Sequence, residues 1–530
     1  MSIHSEAKTH KKSWPLLRAL FSRTTVLVVL MLLQLCVVWL AFTFLNDTLS
    51  FGFFILLSAV EVLFIFNQRG NSSVKLSWIV PIVLFPVFGG LFYLFIKLQT
   101  TVKKMRHRLD EEAARSQHCM RQDPAFLEKI KECEPRLYGL AQYLAKTGGF
   151  PGYGDTSVQY FSLGDEMLPV MLSELKKAKR FIFMEFFIVA KGKIWDGILE
   201  VLRQKAKEGV EIRFLYDGMN TIKNLPFGYE KKLRELGIDT KIFSPVVPVL
   251  ASYQNNRDHR KICVIDGNTA FTGGVNLADE YANLICRFGK WKDTGAMFKG
   301  KAVNSFTMMF LQMWNSCYRD GRSEKQPLCY EDYRFENCAD CTDDPAPRMG
   351  YVIPYGDSPL DEENLGENVY LNILHNARDY VHIMTPYLIL DDQMMNALTF
   401  AVKRGVDVKI LFPHIPDKPY AFWLGHSYYR ELLENGVRIF EYKPGFVHAK
   451  EFISDDQRAV IGTINLDYRS LYLHFENAAY LHDVPAIHDM EKDFQDCLRD
   501  CVEIDLAAMK RMPGLKMLYG HVLRIFAPMF

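Results

Sequence analysis

The sequence predicts an α/β protein of two duplicated halves, each a mixed sheet flanked by helices, preceded by N-terminal transmembrane helices. Three observations predict it. Long apolar runs fill the first hundred residues. The remainder alternates short apolar strands with amphipathic helices, in an order that occurs twice. Each copy closes on the same sparse set of ionisable residues: "DHRKICVIDG" and "VHAKEFISDD" both read His, one spacer, Lys, four spacers, Asp.

The run over 24–45 carries no charge and is long enough to cross a hydrocarbon core; the run over 76–96 is equally long, and its prolines and paired glycines are tolerated in membrane spans. Between them "FGFFILLSAVEVLFIFN" is shorter and holds Glu61, so it reads as a third span or as a segment at the interface. Basic residues flank both ends, Lys8, Lys11, Lys12, Arg18 and Arg23 before the first run and Lys97, Lys103, Lys104, Arg106 and Arg108 after the last. Each flank asks to be cytoplasmic, which an even number of spans satisfies. The expectation is a multi-pass cell-membrane protein whose catalytic part is cytoplasmic.

Beyond the charged helix "KKMRHRLDEEAARSQ", two stretches superimpose. "AKRFIFMEFFIV" matches "ARDYVHIMTPYLIL" as a strand. "GILEVLRQKAKEGVEIRFLYD" matches "MNALTFAVKRGVDVKILFP" as amphipathic helix, Gly cap and buried strand. A second helix and strand follow in each, then the His-x-Lys element. The expected boundaries are a membrane region over 1–100, a linker helix over 101–150, the first half over 151–320, a connecting loop over 321–350, and the second half over 351–530 with an amphipathic tail.

Sixty-three basic against 62 acidic residues leave a formal charge of +1, so no bulk field holds a polyanion and a nucleic-acid partner is not expected. Eleven scattered cysteines read as reduced thiols. Cys338 and Cys341 form one C-x-x-C, but apart from Cys329 no second ligand pair at zinc spacing is evident, so this stretch reads as a flexible loop.

On a strand, His259 and Lys261 project from one face, as do His448 and Lys450, which suits two groups acting on one substrate atom. Asp266 and Asp455 fall in "DGN" and "DDQ", where turn formation competes with direct chemistry. Gly273, Gly274 and Asn276 follow Asp266 at the offsets at which Gly462, Thr463 and Asn465 follow Asp455. Glycine permits close backbone approach and Asn supplies an amide donor, as a phosphate site needs. Two imidazoles, two ammonium groups and two amides converging between the halves make a cationic pocket for a phosphate. Asp293 in "WKDT" and Glu476 in "HFEN" lie downstream of the two motifs, each placed to accept a bond from an imidazole Nδ1–H.

This doubled element resembles the signature of the phospholipase D superfamily. Through "NNRDHRKICVIDGNTAFTGGVNLADEY", "WKDT", "TPYLI", "RGVDVKIL", "GFVHAKEFISDD" and "GTINLDYRSLYLHFEN" the chain is similar to bacterial cardiolipin synthases. One departure is Gly295 in "WKDTG", where those synthases commonly place a His. The resemblance implies two phospholipase D-like halves and a catalytic set of His259, Lys261, Asp266, His448, Lys450 and Asp455. In it, His259 attacks phosphorus to give a phosphohistidine and His448 protonates the leaving alkoxide. Asn276, Asn465, Gly274 and Thr463 would bind the phosphate, and Asp293 and Glu476 would orient the histidines. No metal or other cofactor is called for, because two lysines already neutralise the phosphate. The implied partners are phosphatidylglycerol, other membrane phospholipids and the bilayer. The implied reaction joins two phosphatidylglycerols into cardiolipin and glycerol; the alternative is a phospholipase D-type hydrolase with the same residues.

Overall fold

The structure is a computed structural model that describes residues 23–44, 47–68, 71–97, 100–246, 255–317, 327–335 and 349–529. The Cys338–Cys341 pair lies outside these. The chain divides into two compact units, one containing the described residues up to Lys104 and the other containing Met105–Pro245 and Asn256–Pro528.

In the N-terminal unit the first apolar run is the helix Arg23–Phe44. The middle run, left open between a span and an interfacial segment, is a continuous helix, Asp47–Phe66. Among the described residues its stretch Thr48–Phe66, with mean hydropathy 2.4, is the one helix that by length and composition can cross a membrane. The expectation of one span over 76–96 is corrected: that run is two helices, Ser72–Leu84 and Pro86–Lys97. Pro86 brings no N–H to the ladder and pushes Phe85 out of helical geometry, to φ −137° and ψ 75°. Each piece is shorter than the ~20 residues a span needs. Gly90 makes room for Glu61, since a β-carbon there would fall 1.7 Å from Glu61 Oε1.

The second unit holds both repeats. The first supplies β1 (Thr156–Phe161), β2 (Phe181–Phe186), β3 (Glu211–Asp217), β4 (Asp239–Phe243), β5 (Arg257–Asp258), β6 (Lys261–Ile265), β7 (Thr269–Gly273), β8 (Lys290–Lys292) and β9 (Gly295–Gly300). The second supplies β10 (Tyr351–Asp357), β11 (Tyr380–Met384), β12 (Asp407–Pro413), β13 (Arg438–Tyr442), β14 (Gly445–Val447), β15 (Glu451–Ser454), β16 (Arg458–Gly462), β17 (His474–His482) and β18 (Cys501–Ile504). One sheet runs β1-β9-β7-β6-β2-β3-β4, the other β10-β17-β16-β15-β11-β12-β13-β18. Apart from the added edge strand β18, the two orders are the same, so the duplication read in the sequence is a duplication of topology.

The crossovers form for matching reasons. The helix Lys193–Lys207 turns Trp195, Ile198, Val201 and Leu202 inward at helical spacing and ends before Gly209, at φ +90°. Its counterpart Asp392–Lys403 buries Met394, Ala397, Leu398 and Ala401 and ends before Gly405, at φ +96°. Strands β2 and β11, buried on both faces between such helices, are apolar almost throughout.

Two short pairings tie the halves together. Strand β5 of the first half adds in parallel to β17 of the second, Arg257 opposite His474 and Asp258 opposite Phe475. Strand β14 of the second half adds in parallel to β8 of the first, Phe446 opposite Trp291 and Val447 opposite Lys292. Each half therefore lends the strand that leads into its His-x-Lys element to the other half.

Candidate active site

That exchange positions the site. Leaving β5, the chain presents His259, whose backbone N–H donates to Phe475 O at 2.9 Å; leaving β14, it presents His448, whose N–H donates to Lys292 O at 2.7 Å. One residue beyond each acceptor stands a carboxylate of the opposite half. His259 Nδ1 lies 2.9 Å from both oxygens of Glu476, and His448 Nδ1 lies 2.6 Å from Asp293 Oδ2. The carboxylate–imidazole pairs thus cross between halves, a pairing the sequence offsets did not distinguish. With each Nδ1–H donated to a carboxylate, each Nε2 is left with its lone pair.

The pocket is buried and cationic. Lys261 Nζ donates to His259 O at 2.6 Å, and Lys450 Nζ contacts His448 O in the same way. Burial pushes Lys261 down to about 8 and Lys450 down to about 7, with Glu476 and Asp293 opposing the shift in both. Burial, then Lys261, Lys450, His448 and Lys418 hold His259 well below the usual imidazole range. Burial and Lys450 bring His448 down to about 4, with Asp293 pulling the other way. Each imidazole feels the lysine of the other half, as expected when both histidines face one space.

The flanking shells differ. Phe187 and His474 pack beside His259, with ring centroids 4.9 and 5.4 Å away. Trp291 and Tyr281 pack beside His448 at 5.3 and 5.4 Å. The Thr463 hydroxyl contacts Glu476 Oε2. Its counterpart by repeat is Gly274, and the reason is steric: a β-carbon at 274 would come 1.9 Å from Asp293 Oδ1. Both residues expected to bind phosphate through position 274 or 463 therefore touch the orienting carboxylates.

Asn276 is fully buried; its Oδ1 accepts from Ile188 N at 2.9 Å, and its Nδ2 donates to the Tyr281 hydroxyl at 2.9 Å. Asn465 Nδ2 donates to Asp467 Oδ2 at 3.3 Å, and its Oδ1 is buried without a partner among the described residues. Met167 fills the place of a side chain at Gly295, since a β-carbon there would lie 2.1 Å from Met167 Sδ.

The catalytic part given to the two aspartates is corrected. Asp266, at φ +54°, accepts from the backbone N–H groups of Lys179, Arg180 and Phe181 at 2.8, 2.8 and 2.9 Å. Asp455, at φ +56°, does the same for Arg378, Asp379 and Tyr380 at 3.0, 2.9 and 3.0 Å. Both sit at the far end of the strand from the histidine, where they fasten the entry of β2 and β11.

Two residues that bind the site together were not singled out in the sequence. Asn477 Oδ1 accepts from Lys261 N at 3.2 Å, and its Nδ2 donates to Thr272 Oγ1 at 2.8 Å, which in turn donates to Lys261 O at 2.8 Å. The signal available was position alone, since Asn477 directly follows Glu476 and Thr272 directly precedes the Gly-Gly pair.

Fold and site together define a two-half phospholipase D-like protein. The family described as "Cardiolipin synthase, PLD-like domain" matches residues 171–314 and 370–498, and "Phospholipase_D-nuclease N-terminal" matches 53–97. An uncharacterized protein of Streptococcus mutans is 46% identical over 469 residues, covering 88% of this chain and 99% of that one. Cardiolipin synthase 2 of Bacillus cereus is 36% identical, covering 83% of this chain and 84% of its own length. A phosphatidylserine synthase of Haemophilus influenzae shares the fold, with a TM-score of 0.54 at 16% identity over 70% of this chain and 93% of that one. The chain belongs to the cardiolipin synthase family of the phospholipase D superfamily.

Proposed function

We propose that this protein is a membrane phosphatidyltransferase that converts two phosphatidylglycerol molecules into cardiolipin and glycerol. The observation that carries the reading is the crossed pair of carboxylate-held imidazoles sharing one pocket with two buried lysines. His259 Nε2 attacks phosphorus of the first lipid, the P–O bond to its glycerol headgroup breaks, and His448 Nε2–H gives that alkoxide its proton. His448 then takes the proton of a headgroup hydroxyl of the second lipid. That oxygen displaces His259 from phosphorus, forming cardiolipin and returning both imidazoles to their starting state.

Burial and the neighbouring lysines favour the neutral form of both imidazoles, which suits a nucleophile but not an acid. A bound phosphodiester offsets the lysine charges that depress His448, so the substrate itself raises the affinity of its general acid for a proton. Lys261 and Lys450 hold the phosphoryl oxygens and stabilise charge in the transition state.

A multi-pass anchor with a cytoplasmic catalytic part fits the basic flanks and confines the enzyme to the layer that holds both substrates. The C-terminal helix Gly514–Ile525 supports contact with lipid. Gly520 seats it against Trp423 O on the helix Pro419–Glu434, while Leu515, Leu518, Tyr519 and Val522 stay exposed. The test is product analysis of the purified chain in phosphatidylglycerol liposomes. Cardiolipin with equimolar glycerol is expected; phosphatidic acid without cardiolipin overturns the transferase reading in favour of hydrolysis.

A further inference from the structure

A second cluster of ionisable side chains lies where the segment leading into the first half meets the connection between the halves. His118 and Cys119 occupy the single turn Gln117–Met120, and Cys329 and Glu331 stand at and beside the turn Glu331–Tyr333. His118 and Glu331 are 213 positions apart in the chain, yet His118 Nε2 contacts Glu331 Oε1. Nε2 is also 3.3 Å from Cys119 Sγ, and Cys329 Sγ is 2.9 Å from Glu331 Oε2. Donor atoms of His118, Cys119 and Glu331 all fall within 4.8 Å of one another.

Two donors on one tetrahedral zinc stand about 3.3–3.8 Å apart, given Zn–S of about 2.3 Å and Zn–N or Zn–O of about 2.0–2.2 Å. The 3.3 Å between His118 Nε2 and Cys119 Sγ falls in that range; Cys329 Sγ touches Glu331 but stands outside the mutually close set, so a side-chain rotation brings it in as the fourth ligand. The cluster's chemistry, one imidazole, two thiols and one carboxylate, suits a borderline-soft divalent ion and not magnesium or calcium. The backbone that carries the donors is braced independently of them. Asn304 donates through Nδ2 to Cys119 O at 2.8 Å and accepts through Oδ1 from Phe335 N at 3.3 Å, so one amide holds both segments. Asn315 exchanges two bonds of 3.1 Å with the Leu328 backbone, and the Tyr330 hydroxyl donates to Glu112 at 2.7 Å. Such support fixes ligand positions before the ion arrives.

We propose that His118, Cys119, Cys329 and Glu331 bind one zinc ion in a structural site that fastens the connection between the halves to the turn preceding the first half. The ion has no part in phosphoryl transfer. It replaces the protons on both thiols and joins two segments that are otherwise held by hydrogen bonds.

The test uses the full-length chain, grown with zinc and purified without a metal-affinity step or chelator. Elemental analysis should find about one zinc per chain, falling to roughly a tenth in Cys119→Ser and in Cys329→Ser. Cys286→Ser, which removes an exposed cysteine outside the cluster, should keep the full content. Cobalt exchanged into the wild-type chain should give thiolate-to-metal charge-transfer bands and tetrahedral d–d bands. If the buried Cys119→Ser variant fails to fold, the exposed Cys329→Ser variant and the wild-type cobalt spectrum decide. The proposal is overturned by a zinc-free wild-type chain without cobalt–thiolate bands. It is equally overturned by full zinc content in the serine variants that fold.

Discussion

Replacing each orienting carboxylate by its amide should have unequal consequences, and the structure says which is worse. Asp293 and Glu476 are both fully buried, and each serves one imidazole. In Glu476→Gln the new NH₂ has an acceptor waiting, the Thr463 oxygen. That hydroxyl can turn its own proton to Asn477 O, 3.1 Å away. The amide oxygen then still accepts from His259 Nδ1–H, and only the charge is lost. A hydrogen bond contributes about 1.5–3 kcal/mol with a charged acceptor and about 0.5–1.5 kcal/mol with a neutral one, so the exchange forfeits about 1–1.5 kcal/mol and turnover should fall roughly 5- to 13-fold. In Asp293→Asn the amide oxygen is needed by the Thr294 N–H, 3.0 Å from Oδ1. The NH₂ is then forced towards His448 Nδ1, where the Trp291 indole N–H also points, at 3.5 Å. Nδ1 must become an acceptor, which moves the proton to Nε2 and leaves His448 unable to take a proton from the second lipid. Loss of the correct tautomer in this way costs on the order of 10³–10⁴ in turnover, judged from the serine-protease triad. The assay is the initial rate of cardiolipin formation in phosphatidylglycerol liposomes at saturating lipid. A larger loss in Glu476→Gln than in Asp293→Asn, or both variants within about threefold of wild type, refutes the reasoning.

The remaining expectations follow from the same geometry. Lys450 and Lys261 are charged below about 7 and about 8 and lose that charge as pH rises through these values. The kcat/KM profile should therefore fall on its basic side across this range, while the limb in kcat lies higher because a bound phosphodiester favours the charged amines; a kcat/KM flat from about pH 6 to about pH 9 rejects this. Asp266→Ala should destabilise the chain by about 1.5–3 kcal/mol in chemical denaturation, with turnover per folded molecule within about threefold of wild type. Loss of turnover at unchanged stability would return this aspartate to the chemistry. In Gly274→Ala the added carbon meets Asp293 Oδ1 at 1.9 Å, so the variant should fold by circular dichroism yet share the kinetic defect of Asp293→Asn; wild-type activity would show that the carboxylate has another place to go.

What the sequence made legible was whatever depends on short-range periodicity. Both repeats, their Gly-capped helices and the strands on which the lysines sit follow from spacings of two and of three to four residues. The crossing of His259 to Glu476 and of His448 to Asp293 was hidden, because it depends on β5 with β17 and β8 with β14, strands of two and three residues whose pairing no local pattern announces. Gly274 looked like a backbone approach to phosphate, yet what it admits is a carboxylate from further along the chain. Uniform hydropathy over 76–96 concealed the break at Phe85, although Pro86 was in plain view. His118 and Cys119 carried no zinc spacing because their partners stand some two hundred positions away.

The exchange of strands also bears on how a symmetric fold yields two unlike histidines. Because each imidazole takes its carboxylate from the other half, neither half alone holds a finished catalytic group, and a difference between the halves at 274 and 463 acts on the histidine across the interface. On His259, burial, both lysines, His448 and Lys418 all favour the neutral ring with its free lone pair. On His448, the 2.6 Å bond to Asp293 works against burial and favours the protonated ring. Burial and the lysines thus favour the neutral form of both rings, but the Asp293 bond leaves His448 the less depressed of the two, so it is the ring that a bound phosphodiester more readily brings to the protonated state.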